Sequence, residues 1–175
     1  MNLYAWPLGR VTAIILFLVA VWTCITCITA GNTKYKALWS WTNRLLFLFS
    51  ISAILYLTVW VRTPSAVQPP VLRPFYSFAA AREQPELYRE MLMNLFLFVP
   101  LGLSMPVALP EKMRYKPGLT ILTVIALSCV VEYTQYRFGF GLAETDDVIM
   151  NTLGAAIGSS AQIISQITAG RRART

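Results

Sequence analysis

Five side chains in an otherwise apolar chain have the types and spacing for chemistry: Asn94, Glu132, Gln135, Asp147 and Asn151. Glu132 and Gln135 sit three residues apart in "CVVEYTQYRF" and share a helix face with Ser128. Asp147, Asn151, Gly154 and Gly158 follow at intervals of four, three and four in "DDVIMNTLGAAIG", which places them along one helical stripe. Two carboxylates in different surroundings suit general acid/base work, and the amides supply hydrogen bonds to a bound group. Ionisable groups within apolar sequence are costly unless they face a cavity or one another, so Glu132 and Asp147 are read as members of one polar pocket.

Composition identifies the surroundings of that pocket. The chain has 175 residues, 56% hydrophobic and only 13% charged, where a soluble domain carries about 25% charged residues. Its mean hydropathy is +0.55. These values describe a polytopic integral membrane protein, all-α, built as a helical bundle. The net charge of +7 comes from short basic groups between apolar runs, without the continuous basic face that nucleic acid needs, so no nucleic-acid partner is expected.

The chain contains no histidine, which removes the Ser/His/Asp triad, the HExxH zinc site and imidazole proton transfer. No metal and no cofactor are expected. Cys24, Cys27 and Cys129 all lie within apolar runs, so a disulfide framework is not expected. The Cys24–Cys27 pair is read as small residues packing in a membrane helix.

About five transmembrane helices are expected, near residues 11–30, 43–61, 91–109, 119–138 and 147–167, in a single domain covering 1–175. The first is expected to be a retained span, because residues 1–9 lack the basic start of a cleaved signal peptide. Trp39, Trp41 and Trp60 flank the second span as interfacial anchors. A proline- and arginine-rich loop over 62–90 follows, with a short interfacial helix expected at 85–90. Pro100, Gly102 and Pro106 are expected to kink the third span.

Lys34, Lys36, Arg44, Lys112, Arg114, Lys116 and the tail arginines outnumber the basic residues of the other side. This places the C-terminus in the cytoplasm and the N-terminus outside. In that orientation Asn94, Glu132, Asp147 and Asn151 converge near the outer leaflet. Gly154 and Gly158 form a GxxxG stripe that permits close helix packing within the bundle or a homo-oligomer. Thr145, Asp146 and Asp147 also suit a helix start, where capping oxygens and negative charge are favourable.

The segments "MNLFLFVPLGLSMP", "VVEYTQ" and "DDVIMNTLGAAIG", in this order, resemble the motifs of VanZ-like membrane proteins. Matched residue by residue, that pattern picks out Asn94, Pro100 and Gly102, then Glu132 and Gln135, then Asp147, Asn151, Gly154 and Gly158. Many members carry an arginine shortly before the Asp-Asp-Val segment. Gly141 stands at the equivalent position here, and Arg137 is expected to reach the pocket instead. The resemblance implies a role at the bacterial cell surface, lowering susceptibility to teicoplanin, a glycopeptide with a fatty acyl chain. The reading is a non-enzymatic envelope protein whose outward pocket binds a lipid, a lipid-linked glycan or the drug's acyl chain. The alternatives are an intramembrane enzyme acting on a lipid-linked envelope precursor, with Glu132 and Asp147 as acid/base pair, and a small transporter using Glu132 as a proton relay.

Overall fold

The computed structural model describes residues 33–172 apart from 111 and 114, together with 17, 18, 21, 22, 24 and 25. The described chain is all-helical. Helix α1 spans Thr33–Leu55 and passes directly into a π-helical turn, Tyr56–Trp60. A short helix α2, Tyr76–Ala80, lies in the connection to α3, Pro85–Ala108. Helices α4, Lys116–Phe138, and α5, Thr145–Arg172, complete the bundle.

Among the described residues three helices are long and apolar enough to cross a membrane: Ala37–Trp60, Glu86–Ala108 and Lys116–Phe138. The span expected at 11–30 lies largely outside the described residues, and Cys27 with it. Cys24 and Cys129 are exposed free thiols. The helix expected at 147–167 is present as the longer α5, and with Asp146, Asp147 and Asn151 at its start and Arg171 and Arg172 at its end it is the least apolar of the long helices.

Two boundaries differ from the sequence reading for local physical reasons. Residues 85–90 are the first turns of α3 rather than a separate interfacial helix: Pro85 at the first helical position needs no amide partner and has its φ preset. A short helix does occur in this connection, starting nine residues earlier, as α2. Helix α3 also runs through Pro100 and Pro106 as one continuous element.

The reason α3 carries Gly102 is close approach. A Cβ at Gly102 would strike the Ala155 backbone, one at Gly154 the Leu95 carbonyl, and one at Gly158 the Val99 carbonyl. The GxxxG stripe of α5 is therefore filled within the chain by α3, backbone against backbone, as small residues allow where lipid provides no hydrophobic drive for association. Ile54, Phe98, Leu101, Met105, Val124, Val131 and Ala155 close the core around this pair. Val99, Leu103 and Ala161 form a second cluster against Trp22. Leu45, Leu48 and Phe49 of α1 and Leu122, Ile125 and Val130 of α4 remain exposed, as expected of a bundle whose outside faces acyl chains.

Candidate functional site

The polar residues gather at the end of the bundle where α4 finishes and α5 begins. Gly139, with φ 67°, caps α4 in the left-handed conformation, and a Cβ there would meet the Ser65 carbonyl. The chain then turns through 140–144 into α5. This connection delivers the Glu144 amide to Glu132, whose Oε2 accepts from it at 3.0 Å.

Asp147, in the first turn of α5, accepts a hydrogen bond from the Asn94 side chain of α3. It also lies in electrostatic contact with Glu132 of α4. One turn deeper, Asn151 Nδ2 donates to Ser128 Oγ at 2.7 Å, bridging α5 to α4. The buried Oδ1 of Asn151 has no hydrogen-bond partner among the described residues. Asn94, Glu132, Asp147 and Asn151 thus belong to one cluster at the junction of three helices.

Gln135 is used differently. Its Nε2 donates to the Thr58 carbonyl at 3.1 Å, at the π-helical turn that ends α1, while the Thr58 hydroxyl donates to the Ile54 carbonyl at 2.7 Å. The wide turn leaves a carbonyl open, and Gln135 satisfies it in a setting without water. Gln135→Met, close in volume, is expected to lower stability by about 1 kcal/mol through loss of this bond. Thermal unfolding of the purified protein in detergent checks this; an unchanged midpoint would show that the bond contributes nothing.

The arginine at the cluster is Arg62, not Arg137. Arg137 rests over the ring of Phe138 at 5.8 Å. Arg62 follows the π-helical turn, and its Nη1 lies 3.4 Å from where a Cβ on Gly141 would stand. Its charge acts on both Glu132 and Asp147. Nothing in the local sequence links Arg62 to residues 70 or more positions away, so only the fold reveals it.

Residues 62–84 are strapped across the cluster's open end. The Ser65 amide and hydroxyl donate to the Gly139 carbonyl at 2.7 and 3.0 Å. The Val71 amide donates to the Ala143 carbonyl at 2.9 Å, and the Thr145 amide to the Val71 carbonyl at 3.0 Å. The Ser77 hydroxyl makes a short bond to Glu144.

Asp146 is the anchor of the strap. It is 1% exposed, and it accepts from the Phe75 amide at 2.5 Å and the Ser77 amide at 2.7 Å. The sequence reading made it a cap for its own helix. In the fold it caps α2 from a distance, because the first amides of that short helix have no internal partner.

A helical membrane bundle with a carboxylate and amide cluster at the junction of three helices is the class defined by this arrangement. The VanZ/LLP1 family model matches residues 13–166, and the chain belongs to that family. "Protein VanZ" of Enterococcus faecium is 35% identical over 71 residues, which is 41% of this chain and 42% of that relative. The match thus spans less than half of the relative's length. No solved structure matches.

Proposed function

We propose that the protein works in the bacterial cell membrane to lower susceptibility to teicoplanin, through an outward-facing polar pocket between α3, α4 and α5. The pocket takes a lipid, a lipid-linked glycan or the acyl chain of the drug. The observation that carries this reading is the pairing of Glu132 and Asp147 across the α4–α5 seam, with Asn94 bonded to Asp147, beneath the strap. A buried Glu132 beside a half-buried Asp147 in a membrane bundle favours a functional site over packing, because ionisable groups are costly there without a role. Family membership and the resemblance to a VanZ protein add the link to glycopeptides.

The test is teicoplanin and vancomycin susceptibility of a sensitive Gram-positive host expressing the chain, Glu132→Gln or Asp147→Asn at matched membrane levels. Wild-type protection against teicoplanin, lost in both variants, is the expected result. Full protection by both variants would remove the pocket from the function, and no protection from wild type would remove the glycopeptide role.

The proximity of Glu132 and Asp147 favours one second reading, an intramembrane enzyme on a lipid-linked envelope precursor. Glu132 accepts a backbone amide while Asp147 accepts a side-chain amide, so the two carboxylates have different surroundings. Turnover by purified protein that disappears in Glu132→Gln would support this reading. Turnover retained in that variant would sink it.

A further inference from the structure

The strap has two unlike faces. Its inner side is tied to residues 139–146 through Ser65, Val71, Phe75 and Ser77. Its outer side presents Leu72, 73% exposed, and Phe75, 62% exposed, beside the exposed Val67 and Phe78. Residues 62–84 contain Arg62, Arg73 and Arg82 against a single acid, Glu83. Arg62 acts on the carboxylates within the bundle. Arg73 and Arg82 are exposed and form no salt bridge among the described residues.

The depth of this face is fixed by its connections. The segment leaves the spanning helix at Trp60, itself 83% exposed, and enters the next at Pro85, so it lies where two spans reach the membrane boundary. Apolar and aromatic side chains exposed there beside unpaired arginines are unfavourable in bulk water. The same composition is favourable at an interface, where rings lie at headgroup depth and arginines meet phosphate.

We propose that residues 61–82 form an interfacial anchor for anionic phospholipid, with Leu72, Phe75 and Phe78 seated among the upper acyl segments and Arg73 and Arg82 holding the headgroup phosphate. The exposed Arg73 and Arg82 outnumber the one exposed acid of the strap, Glu83, and this net positive face, continuous with the lipid-facing surface of the spans, selects an anionic leaflet as the occupant. This anchor does not rest on the teicoplanin reading. Because the same segment straps the α4–α5 connection, the anchor ties the mouth of the polar cluster to the leaflet.

The test is native mass spectrometry of the purified full chain in detergent, equilibrated with phosphatidylglycerol or phosphatidylcholine. Wild type is expected to retain phosphatidylglycerol preferentially. Arg73→Gln with Arg82→Gln should weaken that retention about 25-fold, about fivefold for each arginine near the headgroup. The Arg73→Lys, Arg82→Lys pair should restore most of it. Both arginines are exposed, so the thermal midpoint should stay at the wild-type value, and the lysine pair controls for any change in folding. Equal retention of the two lipids by wild type, or of phosphatidylglycerol by wild type and the glutamine pair, would overturn the proposal. Displacement of the lipid by inorganic phosphate alone would also overturn it, by showing a site for the free anion.

Discussion

Gly154→Leu is expected to leave no folded, monodisperse protein in detergent, with a loss of more than about 3 kcal/mol. Overpacking usually costs about 1–3 kcal/mol because neighbouring side chains shift to make room. Here the obstacle is the Leu95 backbone carbonyl, which lies where even a Cβ would stand. A longer side chain would therefore have to push α3 and α5 apart along their whole contact, exposing Gly102 and Gly158 as well. Ala156→Leu, on the exposed face of the same helix, is the matched control and should be tolerated. Size-exclusion profiles and thermal unfolding of both variants check this. A Gly154→Leu protein that melts like wild type would disprove the backbone-on-backbone packing.

Asp146→Ala should release residues 62–84 without unfolding the bundle. The substitution strands the part-buried Phe75 amide and the buried Ser77 amide, which lose their acceptor together. An unsatisfied buried group costs roughly 1–3 kcal/mol, so the folded strap would be penalised by at least that for the Ser77 amide, with a smaller addition for the Phe75 amide. The strap avoids much of that cost by peeling away and hydrating its amides, so the effect is local. Hydrogen exchange should quicken across 62–84 while α3 and α5 stay protected, and proteases should cut within the loop. Asp146→Asn keeps one acceptor and should fall between the two. Uniformly faster exchange through α3 and α5 would instead show that Asp146 holds the bundle itself.

The sequence made the membrane class and the main polar cluster legible, because both depend on short-range patterns. Apolar runs long enough to span a bilayer lie within single segments, and Asp147, Asn151, Gly154 and Gly158 announce a shared stripe through spacing alone. Helix starts are less legible: residues 33–42 fall before the span expected at 43–61, and residues 85–90 read as a separate short helix rather than as the first turns of α3. Gly102 read as a flaw in a helix because its partner, Ala155, is more than fifty residues away. The roles of Arg62 and Asp146 were invisible for the same reason. A cation beside a carboxylate, or a carboxylate capping a distant helix, is fixed by the loop path, and no local periodicity encodes that path.

The glycine contacts also determine which parts of the bundle can move. With Gly102, Gly154 and Gly158 set against opposing backbone, α3 and α5 cannot slide or roll past one another without a carbonyl striking a main-chain carbon. Helix α4 meets α5 through side chains, by core packing and by the Asn151–Ser128 hydrogen bond, and Glu132 accepts from the Glu144 amide in the connection just before α5. Backbone contact thus locks α3 to α5, whereas α4 is joined to them through side chains, Val124 and Val131 in the core among them. Glu132 lies on α4 and Asp147 on α5, so the separation of the two carboxylates is set across the side-chain seam rather than the backbone one.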